Sequence, residues 1–142
     1  MYSVSKHIEF CYGHRLVGDA GLCGHPHGHN ATAEIEIRAD SLDHRNMVVD
    51  FGDIKRVVKD WVDRNLDHKM ILRRDDPLLK PLEQLGEPVF VVEENPTAEI
   101  VAKLIFDFAR SRGFRVMCVK VWETPNSYAA YDGDDRDTPM ND

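Results

Sequence analysis

The chain has 142 residues, within the roughly 100–200 residues of one domain, and its 42% hydrophobic and 30% charged composition is globular, which sets aside multidomain and disordered readings. Eighteen basic against 25 acidic residues leave a net charge of −7, so most of the surface repels phosphate backbones and anionic lipid, and neither nucleic acid nor a membrane is expected as partner. The longest apolar runs are four residues, such as Val89 to Val92, against about 20 for a membrane span, and Lys6, His7, Glu9, His14 and Arg15 leave no apolar stretch for a secretory signal, so a cytoplasmic protein with three reduced cysteines is expected.

The even positions Val4, Ile8, Phe10 and Tyr12 alternate with Ser3, Ser5, His7 and Glu9, the period of a half-buried strand, with Lys6 the exception. Residues 31–39 alternate more cleanly, Ala31, Ala33, Ile35, Ile37 and Ala39 on one face and Thr32, Glu34, Glu36 and Arg38 on the other. Ile54, Val57, Val58, Trp61, Val62 and Leu66 fall at helical spacing behind Asp50 and Asp53, which can satisfy first-turn amides. Asp75-Asp76-Pro77 and Gly86-Glu87-Pro88 break residues 69–93, where only Val89 to Val92 reads as a short added strand. A second helix follows Asn95 as cap and Pro96 as first helical residue, carries Ile100, Val101, Leu104, Ile105 and Phe108, and stops at Gly113. Residues 115–123 and 127–131 read as a closing hairpin around Pro125-Asn126, and the acidic tail from Asp132 to Asp142 as frayed. The order β-β-α-α-β-β predicts an α+β domain, an antiparallel four-stranded sheet with two helices on one face.

Cys23 to His29, reading CGHPHGH, is the densest collection of metal ligands and nucleophiles in the chain. Extending the second strand backward puts His27 and His29 in the core-facing register of Ala31 and Ala33, and His14 continues the register of Phe10 and Tyr12. Three imidazoles on an apolar face are either separately hydrogen-bonded or share a cation such as Zn²⁺, and the HxH pair with a register-matched third favours the cation. His25 stands as an alternative to His27, and a bulge at Gly13 or Gly28 would flip the faces. Cys23 reads either as a fourth ligand closing the site or as a thiolate beside it, whereas Cys118 and Cys11 read as buried inert thiols. His68, beside Asp67 at a helix end, is a proton-transfer group or simply a polar terminus. Glu123 shares the register of Met117, Val119 and Val121, so it is either a solvated strand end or a buried carboxylate in need of paired N–H donors.

Phe10 with His14-Arg15-Leu16, the run from Cys23 through His29, Asp50-Phe51, Leu66-Asp67-His68, Glu94 to Glu99, and Trp122-Glu123-Thr124 with Tyr131 together resemble the 6-pyruvoyl-tetrahydropterin synthase family, most closely its bacterial 6-carboxy branch. The resemblance spans essentially the whole of 1–142 as a single domain. It implies the T-fold, in which trimers close four-stranded sheets into a barrel and two trimers stack as a homohexamer, pairing free strand edges. It also implies Zn²⁺ on His14, His27 and His29, Cys23 as general base, and His68 with Asp67 and Glu123 in a proton relay. Thr97 and Glu123 would be substrate contacts, Glu123 on the pterin ring, and the active sites would lie between subunits.

The implied reaction, in queuosine biosynthesis, turns a pterin triphosphate, 7,8-dihydroneopterin triphosphate, into 6-carboxy-5,6,7,8-tetrahydropterin, acetaldehyde and triphosphate, with zinc as Lewis acid. The short gap between Cys23 and His27 resembles the carboxy branch, whereas the longer 69–93 segment departs from the compact bacterial pattern. Lys6 and Arg15 are candidate triphosphate contacts. A pyruvoyl-forming sister enzyme, a non-catalytic zinc-binding oligomer with Cys23 as fourth ligand, and a zinc hydrolase are the competing readings. The hydrolase lacks a strong general-base carboxylate beside the HxH pair.

Overall fold

The computed structural model describes residues 1–134, so the expected fraying of the acidic tail lies, beyond Asp134, outside the described residues. Two 13-residue strands, β1 (Tyr2–His14) and β2 (His27–Ala39), form an antiparallel ladder from Tyr2↔Ala39 to His14↔His27. No bulge interrupts it, because Gly13 and Gly28 face each other. A Cβ on Gly28 would stand 2.9 Å from the Tyr12 carbonyl oxygen, and one on Gly13 would collide with Met70 Sδ. The predicted faces therefore hold: Ile8, Phe10, Tyr12, Ala31, Ala33, Ile35 and Ile37 are buried, while the opposite face stays polar.

The first helix starts as α1 (Phe51–Ile54), capped by the Asp50 carboxylate accepting from the Gly52 amide. It widens through a π-helical turn at Lys55–Lys59 and resumes as α2 (Asp60–Asn65). Its stripe is the predicted one, with Ile54, Val58, Val62 and Leu66 fully buried. The segment left undivided by the sequence then supplies β3 (Lys69–Arg73), α3 (Leu79–Gln84) and β4 (Val89–Val92). The last helix, α4 (Ala98–Ser111), ends before Gly113 at φ +91° and packs against β5 (Val116–Thr124) and β6 (Ser127–Tyr131).

The sheet corrects the four-stranded antiparallel expectation. It has six strands in the order β4-β3-β1-β2-β5-β6, and β3 runs parallel to both β1 and β4. The third helix, α3, was likewise not anticipated. β3 touches β1 only from Tyr12 to His14, which leaves Tyr2–Cys11 with one edge unpaired among the described residues. Two local expectations also change. A register shift opposite Glu36 and Ile37 makes Met117 the extra residue of β5, so it bulges out at 43% exposure and Val116 takes the core position. Cys118, adjacent to the buried Val119 and opposite Glu36, lies half-buried on the polar face rather than in the core, and burial raises its thiol pKa.

Asp76, with its side chain fully buried, anchors the added segment to the end of β1. It accepts from Arg15 Nε at 2.9 and 3.1 Å, from a terminal Arg15 nitrogen, and from the Leu78 amide at 2.8 Å. The guanidinium holds the Asp76 carboxyl below its ordinary 3.8, so this contribution to stability is complete above that value and is lost as pH falls through the depressed folded-state pKa. Arg15→Ala should cost about 3 kcal/mol in urea unfolding, at the lower end of the range for broken buried pairs because Arg15 is partly exposed. A loss within 0.5 kcal/mol would show that the pair contributes nothing. Arg15 is thereby committed to Asp76 rather than free for a triphosphate, and Lys6 lies eight residues from His14 along β1, roughly 26 Å away.

Candidate metal centre and catalytic cavity

The uninterrupted β1–β2 ladder places His14 opposite His27, with His29 two residues further along β2 on the same face. One ring nitrogen from each of His14, His27 and His29 lies within 4.8 Å of the others. Backbone carbonyls fix two of the rings: His14 Nδ1 donates to Pro96 O at 2.6 Å and His27 Nδ1 to His25 O at 2.8 Å, leaving each Nε2 lone pair free. His29 Nε2 stands 3.2 Å from His14 Nε2. His25 therefore orients the cluster through its carbonyl rather than replacing His27. The donor set fits a divalent metal: three imidazoles, two of them carbonyl-oriented, with a position left open. Burial lowers the His14 pKa, reinforced by His27 and His29 and opposed by the Pro96 carbonyl and Glu123, so its ring is kept neutral, the form that binds a metal.

Glu123 reaches the same place from β5, with Oε1 3.8 Å from His14 Nε2 and Oε2 3.7 Å from His29 Nε2. Its partner on the protein is the Tyr12 hydroxyl, which donates to Oε1 at 3.1 Å. Burial first, then Glu123, raises the Tyr12 pKa and keeps the phenol a donor. Sequence reading counted Tyr12 only as core; the signal available was its even register, next to His14, where a buried hydroxyl needs an acceptor.

A cavity of about 410 Å³ is lined by His14, His27, His29, Cys23, Thr97 and Glu123, among others. Cys23 is exposed in a short 3-10 turn, Leu22–Gly24, and stands outside the converging imidazole set. Asn95 holds the loop leading to it, accepting from the Val17 amide at 2.9 Å and donating to the Val17 carbonyl at 3.0 Å. Asn95 is thus not the helix cap: Thr97 Oγ1 caps α4, accepting from the Ile100 amide at 3.3 Å.

Asp67 and His68 are not brought into this cavity within one chain. His68 lines a second cavity of about 730 Å³ with Cys11, Gly13, Gly28 and Asn30, and His27 and His29 border that cavity as well. The Asp67 carboxylate accepts from His68 Nδ1 at 2.7 Å and from the Cys11 amide at 2.9 Å. Burial alone would raise the Asp67 pKa, but these hydrogen bonds outweigh it and keep the carboxylate ionised.

The 6-pyruvoyl tetrahydropterin synthase family model matches residues 3–134. A 6-carboxy-5,6,7,8-tetrahydropterin synthase from Rickettsia bellii is 38% identical over 135 residues, covering 90% of this chain and 98% of that protein. An uncharacterized protein from Wolinella succinogenes superposes with a TM-score of 0.78 at 27% identity, covering 94% of this chain and 98% of that one. Caenorhabditis elegans 6-pyruvoyl tetrahydropterin synthase superposes with a TM-score of 0.69 at 23% identity, covering 94% and 96%, which shows the T-fold. Sequence, fold and the assembly of histidines, glutamate and cysteine around one cavity agree: the chain belongs to the 6-pyruvoyl tetrahydropterin synthase family of enzymes.

Proposed function

We propose that the chain converts 7,8-dihydroneopterin triphosphate to 6-carboxy-5,6,7,8-tetrahydropterin, releasing acetaldehyde and triphosphate, as a step toward 7-deazapurines such as queuosine. The observation that carries this reading is the convergence of His14, His27 and His29 beside Glu123 in a cavity that also holds Cys23. His14, His27 and His29 would hold Zn²⁺, which when bound polarises side-chain oxygens of the substrate. Cys23, outside the ligand set yet on the cavity wall, serves as the general base toward the substrate side chain. Glu123 keeps Oε2 free of Tyr12 and receives the pterin 2-amino and ring N–H groups. Thr97 lines the same cavity and contacts substrate there.

His68, exposed and held by Asp67, is not among the residues lining this cavity in its own chain and works in the proton relay from a neighbouring subunit. The free edge of β1 over Tyr2–Cys11 and the outer edge of β6 provide for such neighbours, joining sheets into a barrel within a homohexamer. No helix among the described residues is long and apolar enough to cross a membrane.

Turnover of dihydroneopterin triphosphate with mass identification of products tests the reaction. Acetaldehyde with the carboxy product is expected; triphosphate release with a pyruvoyl product and no acetaldehyde would assign the sister activity instead. Glu123→Gln should retain fold and metal but weaken pterin binding by about 2 kcal/mol, the scale for losing the charge of a hydrogen-bonded pair. Unchanged affinity by calorimetry would remove Glu123 from the pterin site.

A further inference from the structure

The geometry points to a second cation site, built from Cys11, Asp67 and His68 and suited to thiophilic divalent ions of the Zn²⁺ type. One ligand atom from each of these residues lies within 4.8 Å of the others. They come from two elements pinned together at the Cys11 peptide, whose amide donates to Asp67 Oδ1 at 2.9 Å and whose carbonyl accepts from the His68 amide at 2.7 Å. His68 is held at φ +58°, a left-handed conformation that costs a non-glycine residue about 1–3 kcal/mol. This turn sets its ring beside Cys11 rather than letting the chain pass straight from α2 into β3.

The chemistry of the set is selective. A thiol, an imidazole and a carboxylate are the three ligand types that Zn²⁺ accepts, and a sulfur donor disfavours Mg²⁺ and Ca²⁺. The Cys11 sulfur already lies within 4.8 Å of a carboxylate oxygen and a ring nitrogen of the other two residues. Ion binding would release that thiol proton and replace the His68–Asp67 hydrogen bond with bonds from both residues to the ion, leaving a fourth position open to the 730 Å³ cavity that Cys11 and His68 line. Occupation would withdraw Asp67 and His68 from proton transfer; that consequence rests on the relay reading above, whereas the site itself does not.

The test is a Co²⁺ titration of the chain with one equivalent of Zn²⁺ already bound. The wild type should take up a further equivalent with a sulfur-to-cobalt charge-transfer band. Cys11→Ser, a near-isosteric change that keeps both backbone hydrogen bonds, should lose the band and that equivalent, and Cys23→Ala should keep both. His68→Ala, altering an exposed ring, should weaken the second equivalent at least tenfold if Cys11→Ser does not fold. Absence of the band in the wild type, its survival in Cys11→Ser, or its loss in Cys23→Ala would overturn the site. Excess Co²⁺ should also slow turnover in the wild type and not in Cys11→Ser. Binding without slowing would leave the cation site standing and count against the relay role of His68.

Discussion

His29→Ala should leave a folded chain that no longer retains its metal through dialysis, measured by atomic absorption, with turnover falling to background. The three rings are mutually dependent, since each pair lies within reach of one ion and removal of one leaves two donors and an enlarged opening. Loss of a residue that merely orients a metal ligand costs about 10- to 100-fold in affinity, and loss of a ligand itself should exceed that. The fold should survive, because His29 sits at the hairpin end, partly exposed, beyond the apolar run from Ala31 to Ile37. His27→Ala should behave alike. Stoichiometric metal persisting in both variants would dismantle the centre.

Cys23→Ala should give the opposite split, metal content unchanged and turnover reduced by about 10²- to 10⁴-fold, the scale for a lost general base. Cys23 stands on an exposed 3-10 turn, outside the group of converging nitrogens and outside the core. A closed site with sulfur as fourth ligand would instead lose metal and activity together, and that result would favour the structural-module reading. Loop integrity is checked in the same variant, because the Asn95 clamp on Val17 should hold the loop whether or not the thiol is present.

What the sequence made legible was governed by short-range periodicity. The alternation through β1 and β2 is a local property, and it is enough to carry His14, His27 and His29 to one face. The two amphipathic helices were equally readable, since their stripes repeat within each segment. The segment over 69–93 was not, because its strands are parallel additions whose partners lie far along the chain, and the burial of Asp76 depends on Arg15, 61 positions away. The Tyr12–Glu123 contact spans 111 positions and was invisible for the same reason. The bulge at Met117 shows the limit of strict alternation: one extra residue exchanged Met117 for Val116 in the core, yet Val119, Val121 and Glu123 kept their side. Asp67 and His68 were recognisable as a pair, but the face to which their turn delivers them was not.

Three consecutive residues, Asn95, Pro96 and Thr97, each tie down a different part of the site: the cysteine loop, the His14 ring and the first turn of α4. Melting that tripeptide would release all of them at once, so the opening of α4 and the escape of the metal form a single cooperative event rather than independent fluctuations. Metal saturation should accordingly slow amide exchange at Ile100 and Val101, whose donors end on Thr97, more than at the far end of the helix.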